Sequence, residues 1–196
     1  SLADRVLYVG SSRRPGDQRP RGDATGGTLP PQELPSPGEV LLLAGRPLEE
    51  QGKIEGVAPD VICSLSSQYP ELPLIVEADG ARGADLKVPG SGEPCIPICP
   101  GVVVVVTALS ALGAPLSALS VHRRERLDLL FPAAEGVTPE MMARLLLHPE
   151  GCFKGTPSKA RRIWLINKAD SPEAERRGCA FAEAVMAELR PGAARP

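Results

Sequence analysis

Two stretches of the chain carry residues whose types and spacing suit chemistry. The first runs from Leu74 to Lys87, LIVEADGARGADLK. An apolar run, Leu74-Ile75-Val76, leads to two carboxylates, Glu77 and Asp79. A turn follows in which Gly80 and Gly83 lie on either side of Arg82. Carboxylates at the carboxyl end of a buried strand can hold Mg²⁺ or position a water, as strand-end acids do in nucleotide hydrolases. Glycines beside them let the backbone approach a ligand. The plain alternative is a strand followed by an ordinary polar turn. The second stretch is Asn167-Lys168-Ala169-Asp170, at the end of the apolar run RIWLI. An Asn-Lys-x-Asp loop between a strand and a helix is the guanine-selecting element of GTP-binding proteins. The Asp carboxylate accepts from two guanine donors, a pairing that adenine cannot offer. The Lys stem lies along the base and the Asn ties neighbouring loops together. Here too the alternative is a polar turn, with Asp170 near a helix N-cap.

Other residues are weaker candidates. Lys53 stands between Gly52 and Gly56, and together with Arg82 and Lys87 could meet an anionic ligand or partner. His122 and Arg123 open an expected helix, where His122 is either a ligand or acid/base or an ordinary surface residue. Ser11, Ser12, Arg13 and Arg14 follow an apparent strand end and could meet an anion. Cys95 and Cys99, with three residues between them in a Pro-rich segment, suggest a metal, but no second Cys/His pair lies at ligand spacing. The expectation is two reduced, metal-free thiols.

The elements that must position these groups read as alternating strands and helices. Short apolar runs at Arg5–Gly10 and Val40–Ala44 read as strands. A helix is expected from Pro59 to about Tyr69, and a buried strand at Leu74–Val76. Val102–Val106, five consecutive valines, reads as the most buried strand. Thr138-Pro139-Glu140 is a helix start, with Thr138 as N-cap and Pro139 at N1, running to about Leu147. Arg162–Ile166 is a further strand, and Pro172–Leu189 the last helix. Residues 15–38 read as a long loop. The expected architecture is a single α/β domain over 1–190, three-layered with a mostly parallel sheet, and a disordered tail at 191–196.

Composition narrows the function classes. Net charge is −2 and aromatics are 3%, so nothing favours nucleic acid or an anionic membrane. Pro is 22 of 196 residues. Five cysteines, an odd number at irregular spacings, argue against a secreted disulfide framework. No apolar run approaches membrane-spanning length and no signal peptide is visible, which points to the cytoplasm.

Taken in order, GKIEG, VEADGARG with the following LK and P, LSALGAP, VHR, TPE…LLLHPEG…KG.P and NKAD resemble the YqeC family over about Val40 to Asp170. The resemblance implies a P-loop-like α/β fold and binding of GTP or ATP with Mg²⁺. It also implies a role as an accessory factor for selenium-dependent molybdenum hydroxylases, with the hydroxylase or its maturation machinery as partner. A strand-end Glu combined with NKxD is also similar to nickel-inserting GTPases. In the site so implied, Glu77 and Asp79 position Mg²⁺ and water, Gly80 meets the γ-phosphate, and Asn167, Lys168 and Asp170 read the base. Family members resemble P-loop proteins with GxGGKTT before a strand and then a Thr-rich loop. This chain has no GxxxxGK[ST], and VGSSRR stands where the Thr-rich loop would be. The expectation is an N-terminally truncated chain, or a variant without triphosphate binding, that binds triphosphate weakly or not at all. A non-catalytic scaffold delivering selenium or cofactor is the rival reading, and a small transferase using Cys95 or Cys99 as a selenium carrier is a third.

Overall fold

The computed structural model describes residues 5–8, 34–37, 39–45, 47–48 and 53–190, with the backbone alone at 5–8, 47–48 and 53. Ser11–Arg14, most of the 15–38 loop, the side chain of Lys53 and the tail from 191 lie outside these residues. The chain is mixed α/β with small parallel sheets, and it divides into two compact units.

The first unit comprises residues up to Ile75 together with Pro97–Cys99. Strand β1, Arg5–Tyr8, pairs in parallel with β2, Leu41–Ala44. A short antiparallel pair joins β3, Pro47–Leu48, to β4, Lys53–Ile54. Gly45 is indispensable beside it, because a Cβ there would stand 2.6 Å from the Glu55 carbonyl that its own amide bonds at 2.9 Å. Helix α1, Pro59–Gln68, begins on a proline with Asp60 in its first turn, as its sequence predicts. A disulfide joins Cys63 of α1 to Cys99, with Cα atoms 5.6 Å apart. This corrects the expectation of two reduced thiols at 95 and 99: Cys99 is paired, and Cys95 is free and exposed.

The second unit comprises Val76–Ile96 and the chain from Pro100. Two parallel pairs form it. One joins β5, Leu86–Lys87, to β7, Val121–His122. The other joins β6, Val102–Ala108, to β8, Arg161–Asn167. Helices α2, Arg124–Leu130, α3, Pro139–Leu147, and α4, Pro172–Glu188, complete it. The N-caps of α3 and α4 act through side chains. Thr138 Oγ1 accepts from Met141 N and Ser171 Oγ from Ala174 N, each at 3.2 Å. The core gathers Leu86, Val88, Leu109, Leu116, Leu127, Val137 and Met142 around α3, whose Met141, Met142, Leu145 and Leu146 are all buried. Trp164 of β8 packs against this cluster and donates from its indole to the buried Thr107 hydroxyl at 3.1 Å.

Three elements differ from the sequence reading. Leu74–Val76 is not a strand; Ile75 is 98% exposed, and no described strand pairs with the run. A strand is stabilised by its neighbours, so β-propensity alone did not make one here. The valine strand β6 is not buried throughout. Its burial alternates, with Val102, Val104 and Val106 exposed and Val103 and Val105 facing inward. His122 does not open a helix. It ends β7, and Arg123, at φ 64°, turns the chain into α2.

Candidate functional site

The acidic turn is held by a network of charges that begins at Asp79. Lys87, at the end of β5, ion-pairs with Asp79, donates to Gly80 O at 2.7 Å and reaches Glu93 Oε2 at 3.0 Å. Arg123 forks onto the same Glu93, with Nη2 to Oε1 at 2.5 Å and Nε to Oε2 at 3.1 Å. The bidentate geometry is the strong form of such a pair. Arg123, together with Lys87 and the Gly90 amide, holds the Glu93 carboxyl at about 2 against its ordinary 4.5, over the opposing effect of burial. A Cβ on Gly90 would stand 3.1 Å from the Arg123 guanidinium carbon, so the residue type at 90 leaves room for that fork.

A second cation continues the network. Lys154, in the loop between α3 and β8, donates to Gly90 O at 2.9 Å, Ser91 O at 3.0 Å and Glu150 Oε2 at 2.8 Å. Arg126 of α2 meets Glu150 at 3.2 Å. The acidic segment itself is pinned where Cys95 N donates to Ala78 O at 3.1 Å.

The other predicted motif comes close through Asp85. Its carboxylate accepts from Ser110 Oγ at 2.8 Å and lies 3.6 Å from Lys168 Nζ, and its backbone carbonyl accepts from Ala108 N at 3.2 Å. The acidic turn and the Asn167–Asp170 loop therefore meet at the carboxyl end of the β6–β8 pair, where sites collect in parallel sheets. Asn167 Oδ1 accepts from Lys168 N at 2.7 Å and caps the loop. Asp170 is exposed beside a shallow hollow lined by Ser171, Glu173, Ala174 and Arg177.

Arg82, Arg123 and Lys168 all have φ between 51° and 64°, the left-handed region that non-glycine residues rarely occupy. Such outliers persist only where surrounding contacts over-determine them, and they collect at functional loops. Here they stand in the acidic turn, at the β7–α2 corner and in the Asn167–Asp170 loop.

Of the predicted residues, the structure brings Asp79, Gly80, Lys87 and Arg123 into one network and Lys168 next to its Asp85 neighbour. Glu77 is exposed, its Oε1 3.3 Å from where a Cβ on Gly80 would be. Arg82 is exposed, and His122 is half-buried with its backbone carbonyl accepting from Val88 N. Glu93, Lys154, Glu150 and Asp85 were not singled out from sequence. Asp85 lies inside the acidic stretch, but Glu93 sits in a segment whose cysteines drew the reading. A Mg²⁺–triphosphate could take the Asp79 carboxylate only if its ion pair with Lys87 opened. Lys87 occupies the Asp79 carboxylate, and no group of three His, Cys, Asp or Glu residues gathers at metal-binding distance among the described residues.

The free thiols give a direct check on this chemistry. Burial pushes the Cys152 thiol up to about 12, whereas Cys95 and Cys179 are exposed. A chromogenic disulfide reagent is expected to titrate Cys95 and Cys179 fast in the native protein, the half-buried Cys152 slowly because little of its thiol ionises, and Cys63 and Cys99 only after reduction. Rapid native labelling of Cys99 would contradict the Cys63–Cys99 pairing. No described helix is long and apolar enough to cross a membrane.

Comparison with known proteins gives a consistent picture. A family model described as YqeC protein matches residues 32–125. A protein of Escherichia coli (strain K12) named Uncharacterized protein YqeC is 40% identical over 125 residues, covering 60% of this chain and 47% of that protein. The chain thus matches about half the length of this curated relative. No solved structure matches it.

Proposed function

The chain belongs to the YqeC family, and from that membership we propose that it is an accessory factor in the maturation of selenium-dependent molybdenum hydroxylases. In this reading its α/β frame is of the P-loop-like, nucleotide-binding type. The observation that carries the reading is the joint at Asp85, which draws the acidic turn and the Asn167–Asp170 loop to one sheet end through Ser110 and Lys168. Asn167, Lys168 and Asp170 would face a guanine base, with Asp170 accepting its paired donors. Glu77, Asp79 and Gly80 would face the phosphate end of GTP or ATP with its Mg²⁺. Arg82 would supply positive charge for that ligand or for the partner hydroxylase, and Lys87 and Arg123 would do so on leaving Asp79 and Glu93.

The experiment is elemental. A molybdenum hydroxylase purified from cells lacking this protein is expected to keep its molybdenum and lose its selenium. An unchanged selenium content would sink the reading.

One observation favours a second form of the same role, a non-catalytic scaffold that hands selenium or cofactor to the hydroxylase. Lys87 already neutralises Asp79, so a cation at that carboxylate requires Lys87 to leave. Calorimetric titration of residues 1–196 with GTP or ATP plus Mg²⁺ is expected to show weak binding or none. Sub-micromolar binding of either nucleotide would favour the nucleotide-dependent form over the scaffold.

A further inference from the structure

Residues 96–100, IPICP, make no backbone hydrogen bond among the described residues. On both sides of them the chain is fixed. Lys87 and Arg123 hold Glu93, Cys95 N donates to Ala78 O at 3.1 Å, and Gly101 O accepts from Arg161 N at 2.9 Å. Between those points the segment is held by the burial of Pro97 and by the Cys63–Cys99 bond, while Ile98 is 90% exposed. The two sulfurs of that bond are unequally placed. Cys99 is exposed, and Cys63, on α1, is half-buried.

A disulfide opens when a thiolate attacks one sulfur and the other leaves. Burial disfavours the thiolate at Cys152, and Cys179 lies far along the chain on α4. Cys95 is free and exposed, with three residues between it and Cys99. That short tether keeps the two within reach whatever the rest of the chain does. Pro97 suits the second position of a β-turn over residues 96–99. Such a turn draws Cys95 and Cys99 toward the roughly 4–7 Å that a disulfide spans between Cα atoms.

We propose that Cys99 is a shared sulfur that exchanges its partner between Cys63 and Cys95, and that this exchange is a switch on the acidic turn. The Cys95 thiolate attacks Cys99 Sγ. The Cys95–Cys99 bond forms, the Cys63–Cys99 bond breaks, and Cys63 leaves as a thiolate. The proton that Cys95 gave up ends on Cys63, and no oxidant or reductant is consumed. Two contacts of Cys95 go with the exchange. Its Sγ donates to Gly92 O at 3.4 Å, and its amide pins Ala78, between Glu77 and Asp79. Closing a loop over residues 95–99 takes up chain between Glu93 and Gly101, so the amide comes off Ala78 and the acidic turn loosens. Cys63 becomes a free thiol on α1 in the same step. The inference concerns thiol chemistry alone and stands whether or not the protein serves a selenium enzyme.

Tryptic mapping without reduction tests it. Cleavage after Lys53, Arg82, Lys87 and Arg123 puts Cys63 on peptide 54–82, and Cys95 with Cys99 on peptide 88–123. The resting pair cross-links the two peptides. The exchanged pair frees 54–82 and leaves 88–123 two hydrogens lighter than its dithiol. After hours at neutral pH and an acid quench, at least about 0.1% of 54–82 is expected free, the lower end of a populated minor state. Cys95→Ser is expected to free none. A smaller release overturns the proposal, as does equal release from Cys95→Ser, a starting protein without the cross-link, or a cross-link from 54–82 to Cys95. Capping Cys95 stops the exchange, so the thiol titration above reads the resting pairing. Cys63→Ser, oxidised with glutathione disulfide, is expected to close Cys95–Cys99. Its residue 95 amide is then expected to exchange with deuterium at least about tenfold faster than in Cys95→Ser. Failure to close that bond, or equal exchange rates, overturns the switch.

Discussion

Gly151→Ala is expected to lower the unfolding free energy by about 2–4 kcal/mol, read from urea denaturation midpoints. A Cβ at this position would stand 1.9 Å from the Leu145 carbonyl oxygen and 3.1 Å from both the Cβ and the carbonyl oxygen of His148. The neighbour at 1.9 Å is backbone, fixed by the end of α3, so it cannot swing aside. That same carbonyl accepts from Cys152 N at 3.2 Å, and Gly151 N itself donates to His148 O at 2.8 Å. Relief requires the chain between α3 and β8 to move outward. That movement breaks the Cys152 bond and carries Lys154 away from Gly90 and Ser91. The cost combines overpacking, about 1–3 kcal/mol, with about 1 kcal/mol for the hydrogen bond. Gly155, at φ +72° in open space, is the control: its alanine variant is expected to cost only about 1 kcal/mol, through backbone conformation alone. A Gly151→Ala protein within about 0.5 kcal/mol of the parent would show that the turn has another arrangement available.

Glu93→Gln is expected to cost about 2–3 kcal/mol at neutral pH, because Lys87 and Arg123 would lose the anion that neutralises them. The pH dependence identifies the cause. Glu93 has its folded-state value lowered to about 2 from 4.5. A carboxylate lowered in this way stabilises fully above its ordinary value and loses that contribution as pH falls toward the folded one. The gap between the parent and Glu93→Gln is therefore expected to be widest above pH 5 and to close as pH drops from there toward 2. The amide does not titrate in that window, so a gap that stays constant would assign the effect to shape and not to charge.

The legible part of this molecule was local. Thr138 before Pro139 and Glu140 specifies a cap by adjacent residues alone, and the structure has that cap. The strand that delivers Asn167–Asp170 was legible because RIWLI lies between a basic turn and a polar loop. The disulfide was not legible, since Cys63 and Cys99 are 36 residues apart with no spacing signature. The Glu93–Arg123 fork spans 30 residues and the Lys154–Gly90 bond spans 64. No periodicity marks either, because tertiary pairing of charges needs no local repeat. The five valines of β6 misled for a related reason. Composition reports that a strand can be buried on both faces; whether anything covers the second face is decided by other segments.

Residues 88–93, VPGSGE, have the composition of a mobile loop, but their surroundings give them different dynamics. Val88, Pro89 and Gly90 are buried. Lys154 grips the Gly90 and Ser91 carbonyls, and Glu93 is gripped from two sides by Lys87 and Arg123. The segment therefore opens with the body of its unit and has no separate low-energy opening of its own. Against the acidic turn it behaves as a fixed floor. A ligand arriving at Asp79 would spend little of its binding free energy on ordering that floor, because the folded chain has already ordered it.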